Sequence, residues 1–161
     1  MTYKRWLISW IGNADHVAAE AGSAAGFGPV ATALLSSEKF DRVYLLANYG
    51  RERSSAYCAW LEQRCGYEGA DVDLQEIDLR SPIDYASIYN EVSKHLKDLG
   101  LPRQDVELTL HLSPGTPAMA AIWIMLAKTR FPAKLIQTSK EHGLESVDFP
   151  FDLASDFLPE F

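Results

Sequence analysis

The sequence predicts an α/β fold: a Rossmann-like three-layer α/β/α sandwich built on a mostly parallel, six-stranded sheet. Apolar, β-prone segments alternate with helical segments along the chain, which is typical of βαβ units. The length of 161 residues, with 47% hydrophobic and 23% charged residues, suits one core, so we expect a single domain over residues 1–161. Right-handed crossovers between parallel strands then place helices on both faces of the sheet.

Six segments are predicted as strands. Residues 42–47 are almost continuously apolar, which indicates a strand buried on both faces. Residues 72–79 alternate apolar and polar side chains at period two, and residues 144–149 have the character of an edge strand. The other strands are predicted at residues 6–11, 106–112 and 133–137.

Four helices are predicted between these strands, at residues 29–37, 53–65, 84–99 and 117–129. Pro29 stands at the start of the first helix, where its missing N–H costs nothing. Gly100 follows the third helix as a typical C-terminal glycine, and Thr116 precedes the fourth as an N-cap.

The charge balance argues against a long nucleic-acid interface. The chain has 15 Lys and Arg against 22 Asp and Glu, a net charge of −7. Gripping a nucleic-acid backbone over many phosphates requires the opposite sign. An anionic ligand must therefore be held locally.

The two cysteines and the hydropathy pattern predict a reduced, cytoplasmic protein. Cys58 and Cys65 lie seven residues apart on a predicted helix, nearly two turns from each other, which is too far for an easy disulfide. No segment approaches the roughly 20 apolar residues of a membrane span. The first apolar run stops at Gly12, too soon for a signal peptide.

Polar and small residues follow the predicted strands at the edge where ligands bind in open α/β sheets. The candidate ligand-binding residues there are Trp10, Gly12, Asn13 and Asp15 after the first strand, Asn48 and Arg51 after the second, Arg80 after the third, and Ser113, Pro114, Gly115, Thr116 and Met119 after the fourth.

The turn after the fourth strand is the strongest local signal. Gly115 allows close approach of the backbone to a ligand, Ser113 and Thr116 offer hydroxyls, and the following helix start presents N–H groups suited to phosphate. The alternative is a capped strand-to-helix turn that binds nothing. Neither G-x-G-x-x-G after the first strand nor G-x-x-x-x-G-K-[ST] occurs, so we expect no nicotinamide or other cofactor.

Several candidates have structural alternatives. Asn13 and Asp15 offer hydrogen bonds to a ribose or an adenine edge, or they make Asx turns. Arg51 and Arg80 reach a phosphate or lie solvated. Trp10 stacks on a base or, as is more common, packs in the core.

Three further side chains are interpreted as structural. His16 is predicted on the surface, His111 inside a strand as a hydrogen-bonded core histidine, and Met119 is more often a core residue than a ligand contact. Because no His or carboxylate pairs occur at ligand spacing, no metal site is predicted.

The motifs at this edge resemble those of a known family. The segment 113–119, Ser-Pro-Gly-Thr-Pro-Ala-Met, resembles the signature after the fourth strand of CARF domains, the Rossmann-like sensors of CRISPR-associated cyclic oligoadenylate signalling, and segment 10–15 resembles that family's other ligand loop. Segments 78–85, 122–123 and 132–139 are similar to the N-terminal CARF domain of RNA-repair transcriptional activators that work with an alternative sigma factor. The likeness runs in order from about residue 6 to residue 151.

The resemblance implies a homodimer that binds a cyclic oligoadenylate, or an RNA end with a 2′,3′-cyclic phosphate, across its twofold axis and switches an effector or transcription. Gly12, Asn13 and Asp15 would then line one side of the site. Ser113, Gly115, Thr116 and Met119 would form its floor.

Two alternatives to a pure sensor stay open. The domain could cleave the ring that it binds as a metal-independent ring nuclease, with Ser113 and Thr116 positioning the reacting groups. A flavodoxin-like mononucleotide protein also wraps a Ser/Thr/Gly loop around phosphate, although there the loop follows the first strand. The acidic and apolar tail after Phe151 fits either a natural end or a cut from a longer chain.

Overall fold

A computed structural model of the chain describes residues 3–22, 26–67 and 71–151. Six strands and five helices follow one another as β1 (Lys4–Trp10), α1 (Asn13–Glu20), α2 (Gly28–Leu34), β2 (Arg42–Ala47), α3 (Arg51–Cys65), β3 (Val72–Glu76), α4 (Tyr85–Asp98), β4 (Val106–His111), α5 (Pro117–Ala127), β5 (Lys134–Ser139) and β6 (Gly143–Val147). The tail at residues 152–161, which the sequence left with two interpretations, lies outside the described residues.

The six strands form one sheet in the order β3-β2-β1-β4-β5-β6. Strands β1 to β5 are parallel and β6 is antiparallel to β5. The predicted mostly parallel Rossmann-like fold is therefore confirmed. The flavodoxin-like alternative is wrong because that topology places its strands in the order 2-1-3-4-5.

Two apolar cores cover the two faces of the sheet. Helices α4 and α5 pack on one face, where Trp10 and Trp123 are fully buried. Helices α2 and α3 pack on the other face, with Leu34 and Tyr57 in the core, and α1 lies against both of these helices. Alternate side chains of β1 enter opposite cores, as in a strand covered on both sides.

The strand boundaries differ from prediction where tertiary pairing decides them. Strand β3 ends at Glu76, three residues before the predicted end. Strand β5 extends to Ser139, which pairs with Gly143 of β6 in a hairpin. Cross-strand pairing of this kind has no signal in hydrophobic periodicity.

Helix α1 was not predicted. Residues 12–16 were predicted as a loop after the first strand, but a helix begins at Asn13. Its start is stabilised by the carboxylate of Asp15, which accepts the N–H of Gly12. His16 is 1% exposed, so its predicted surface position is wrong. The rings of Tyr49 and Tyr57 pack edge-on against it.

Cys58 and Cys65 are free thiols, as the spacing predicts. In the part of the chain that the structure describes, no helix has the length and apolarity needed to cross a bilayer. The same residues contain no cluster of three or more His, Cys, Asp or Glu placed to hold a metal ion.

Candidate functional site

The two glycine-bearing connections, β1–α1 at residues 11–12 and β4–α5 at residues 112–116, are in backbone contact; we call them the ligand loops. A Cβ atom added to Gly12 would stand 2.6 Å from the backbone nitrogen of Gly115. Gly115 itself has φ +90°, and a Cβ there would stand 2.5 Å from Sδ of Met119. A side chain at Gly12 would push the two ligand loops apart, whereas one at Gly115 would clash with Met119 and strain the left-handed backbone, so both positions favour glycine.

Asp15 holds the first ligand loop from inside the protein. Its side chain is fully buried, and its two oxygens accept the N–H groups of Gly12 (2.8 Å) and Val30 (2.9 Å). Burial raises the pKa of Asp15 to about 7, although the two N–H donors act in the opposite direction. The prediction that Asp15 lines the site and contacts the ligand is therefore corrected. Both of its carboxylate oxygens instead accept hydrogen bonds that join the loop to α2.

Thr116 caps helix α5, as predicted. Its Oγ1 accepts the N–H of Met119 at 3.2 Å and donates to the carbonyl of Pro82 at 2.6 Å. The second bond ties the β3–α4 connection, which carries Arg80, to the second ligand loop. The Arg80 side chain is 85% exposed, and its Nε lies 3.8 Å from Oδ2 of Asp84.

Ser113 is held by the end of β5. Its Oγ accepts the backbone N–H of Thr138 at 2.8 Å and donates to the carbonyl of the same residue at 3.2 Å. Ser113 as a residue is half-buried.

Three predicted site residues are packed inside. Trp10 is fully buried in the core on the α4 and α5 face, Met119 is 2% exposed, and Pro114 is buried. The prediction that Trp10 or Met119 touches a ligand is corrected, because their neighbours in the core leave no face for one. They support the ligand loops from below.

Exposed groups remain on the outer side of the ligand loops. Asn13, Ala14 and Gly115 are exposed, and their backbone N–H groups have no hydrogen-bond partner among the described residues. Asn48, at the end of β2, is half-buried with its Oδ1 unpaired within the described part of the chain. Arg51 is exposed at the start of α3 beside an open depression of about 560 Å³.

A cavity at this edge was not predicted. A pocket of about 260 Å³ lies between the start of α2 and the end of β5, and Pro29, Thr32, Thr138 and Lys140 contribute to its walls. The sequence contains a signal for it, because Thr138, Ser139 and Lys140 directly follow the predicted fifth strand at residues 133–137. A larger groove of about 430 Å³ lies at the opposite edge of the sheet, around Arg103 and Phe131.

Comparisons with known proteins bear on both the family and the fold. The family model described as the regulator of RNA terminal phosphate cyclase (RtcR) matches residues 36–149. Among solved structures, the chain is similar to Enterococcus italicus Csm6 bound to cyclic hexa-2′-fluoro-hexa-dAMP, with a TM-score of 0.63 and 17% sequence identity. That match covers 86% of this chain but 35% of the Csm6 chain. No curated protein sequence matches the chain.

The two findings have different weight. At 17% identity the Csm6 structure supports the fold alone. The RtcR model, however, extends over well over half of the chain, from the connection before β2 to just past the end of β6. The resemblance to CARF domains is thereby confirmed, and the chain belongs to the family of regulators of RNA terminal phosphate cyclase.

Proposed function

We propose that this domain is a sensor that binds an oligoribonucleotide phosphate at the ligand loops and passes the binding event to an effector. The ligand is a cyclic oligoadenylate or an RNA end with a 2′,3′-cyclic phosphate. The observation that carries the proposal is the contact of Gly12 with Gly115, which brings two loops from central strands together at the ligand-binding edge of the sheet.

The free backbone donors around this contact support a phosphate ligand. The N–H groups of Asn13 and Ala14 lie at the start of helix α1, and the N–H of Gly115 lies on the neighbouring loop. N–H groups at a helix start bind anions because they carry partial positive charge and lack intrahelical partners. Local donors of this kind suit a chain whose net charge is −7.

Polar side chains near the ligand loops offer contacts to sugar and base. The exposed amide of Asn13 donates and accepts hydrogen bonds, as recognition of a ribose or an adenine edge requires. Lys140 lines the 260 Å³ pocket and supplies a cation for a second phosphate. The Csm6 structure with a cyclic hexanucleotide analogue, which has a similar fold, favours a cyclic ligand as the first to test.

A homodimer is part of the proposal. Ile83 is 67% exposed and Tyr85 55% exposed, and both follow Pro82, which is bonded to Thr116 of the second ligand loop. Helix α5 is apolar all round, and Ala121 and Ile124 are only half-buried on it. Joining two copies through this apolar surface would bring two sets of ligand loops together around a twofold axis, which suits a ring-shaped ligand.

The sensor is favoured over the ring nuclease. Both candidate hydroxyls already have partners, since Thr116 bonds Pro82 and Met119 while Ser113 bonds Thr138. Each hydroxyl has a single proton, and both protons are already donated to carbonyl groups, so neither hydroxyl can donate a hydrogen bond to the phosphate of a ring being cleaved.

Calorimetric titration tests the proposal directly. Cyclic tetra-adenylate, cyclic hexa-adenylate and a short RNA with a 2′,3′-cyclic phosphate are titrated separately into the protein. We expect heat from one of them, and one ring per two chains if the ligand is cyclic. The same RNA with a 3′-hydroxyl is the matched control. The absence of heat with all three ligands contradicts the proposal. Chromatography of the bound ring after long incubation separates a sensor, which leaves it intact, from a ring nuclease.

A further inference from the structure

A chain of hydrogen bonds crosses the sheet beside the ligand loops; it is buried at Ser9 and His111 and half-buried at Thr138. His111 of β4 is fully buried; its Nδ1 lies 3.1 Å from Oγ of Ser9 on β1 and its Nε2 lies 2.9 Å from Oγ1 of Thr138 on β5. Ser9 is also fully buried. Interior strands of a parallel sheet are normally apolar on both faces, so three polar side chains side by side require an explanation.

Both ends of this chain reach backbone that shapes the site. Oγ of Ser9 lies 3.0 Å from the carbonyl oxygen of Trp10, two residues before Gly12. Oγ1 of Thr138 lies 3.3 Å from the carbonyl of Pro29, next to Val30, whose N–H is bound by Asp15.

Thr138 also joins the second ligand loop. Its backbone N–H and carbonyl both bond the hydroxyl of Ser113. Ser9, His111 and Thr138 therefore form a hydrogen-bonded circuit between the first ligand loop and the second, and Asp15 joins the first ligand loop to the start of α2.

The imidazole fits this circuit in its neutral form. Burial lowers the pKa of His111 to about 3, so at neutral pH the ring has one N–H donor and one bare nitrogen. If Nδ1 donates to Ser9, the Ser9 hydroxyl donates to Trp10 and the Thr138 hydroxyl donates to Nε2. If Nε2 donates to Thr138, the Thr138 hydroxyl donates to Pro29 and the Ser9 hydroxyl donates to Nδ1. In either tautomer the three side chains satisfy one another, and the remaining hydroxyl proton is donated to the carbonyl of Trp10 in the first case and of Pro29 in the second.

We propose that His111 and Thr138 are positioning residues, which hold the two ligand loops and the start of α2 in the geometry that binds the ligand. This inference rests on the proposed function for its ligand, but not for the positioning itself. Satisfied buried polar networks fix a single arrangement of the groups they join, whereas apolar contacts tolerate sliding. Neither residue needs to touch the ligand for this role.

Amide hydrogen exchange of the ligand-free protein tests the positioning. The variants are Thr138→Val, which removes the hydroxyl at nearly constant volume, Thr138→Ser, which keeps it, and Ser9→Ala at the other end of the circuit. Thr109→Val is the matched control, because Thr109 is a buried threonine of β4 whose hydroxyl has no partner among the described residues.

In Thr138→Val we expect the amides of Gly12 and Val30 to exchange about tenfold faster than in the wild type, as the loss of one net hydrogen bond predicts. The exchange of amides in the middle of β2 should be unchanged. Ser9→Ala should also make the amide of Gly12 exchange faster than in the wild type. Thr138→Ser restores slow exchange and Thr109→Val does not change it. Equal exchange at Gly12 and Val30 in Thr138→Val and Thr109→Val overturns the inference.

The ligand identified by calorimetry then gives an independent readout. We expect Thr138→Val to weaken its binding about tenfold and Thr138→Ser to restore the affinity, while Thr109→Val binds like the wild type. If the wild type binds none of the three ligands, the proposed function fails, and the exchange experiment still decides the positioning. If Thr138→Val binds with unchanged affinity, the positioning role in ligand binding is wrong.

Discussion

Gly12 and Gly115 are in such close contact that a methyl group on the first would stand 2.6 Å from the backbone nitrogen of the second. They belong to β1–α1 and β4–α5, and β1 and β4 are adjacent in the centre of the sheet. The strand order thus reverses direction between these two strands, where open α/β sheets bind their ligands. The contact makes one surface out of two loops.

Substituting either glycine should abolish ligand binding. Gly12→Ala places its methyl group against the backbone of Gly115, and Gly115→Ala combines a left-handed backbone with a clash against Met119. We expect a loss of affinity of at least about 100-fold, since each change displaces the loop that carries the donors. Calorimetry measures it.

The control for these variants is Gly143→Ala. Gly143 also has a positive φ, +66°, but a Cβ there would meet no atom within 4 Å, and it lies in the β5–β6 hairpin. It should lose a similar amount of stability from backbone strain while retaining wild-type affinity. If Gly115→Ala binds as Gly143→Ala does, the site is not at these loops.

Asp15 should make the domain less stable as the pH rises toward neutrality. Its pKa is about 7 in the folded protein, against about 3.9 in an unfolded chain. Between these values the folded state holds a proton that the unfolded state has lost, so the free energy of unfolding falls as the pH rises from about 4 to about 7. The linkage relation gives a decrease on the order of 4 kcal/mol.

Urea unfolding at a series of pH values measures this dependence, and ¹³C NMR of the Asp15 carboxyl group gives the pKa directly. Asp15→Asn should flatten the curve between pH 4 and 7, because an amide does not titrate. A carboxyl signal that titrates near pH 4 contradicts this prediction.

Thr116→Val should destabilise the domain by about 1–2 kcal/mol, because it removes an N-cap and the bond to Pro82 together. Thr129→Val is a suitable control: Thr129 lies just beyond the end of the same helix, and among the described residues its hydroxyl bonds only the carbonyl of Met125. Thermal unfolding measures both. We expect a decrease in Tm for Thr116→Val that is clearly larger than for Thr129→Val; equal decreases would show that the cap contributes little.

The sequence predicted the layers of this fold because strands and helices with strong periodicity carry their own signal. Arg42–Ala47 was predicted to the residue, as its continuous apolar run requires a buried strand. Helix α1 was missed since it has only eight residues, and its start depends on Asp15 bonding back to Gly12 and across to Val30. That second bond spans 15 residues and leaves no local pattern.

The candidate site was predicted in part for a similar reason. Chain position after a strand predicts the edge of the sheet at which a residue lies, and the structure has Asn13, Gly115 and Thr116 accessible at that edge. Whether a side chain at that edge faces outward depends on packing from other elements. Trp10 and Asp15 therefore looked equivalent to Asn13 in the sequence, although both are fully buried. The role of Thr138 was not predicted, because it depends on bonds to His111 and Ser113, which are distant in the sequence.

The exposed apolar pair Ile83 and Tyr85 should decide whether two copies join beside the ligand loops. Ile83→Asp places a charge in the centre of the proposed interface, where desolvation is costly, so we expect a monomer and the loss of binding to a cyclic ligand. Leu35→Asp is the control, because Leu35 is 45% exposed at the end of α2, on the other face of the sheet. Sedimentation velocity, with and without the ligand, gives the oligomeric state. If Ile83→Asp forms dimers as the wild type does, this surface is not the interface. If Leu35→Asp alone dissociates, the interface lies on the α2 face.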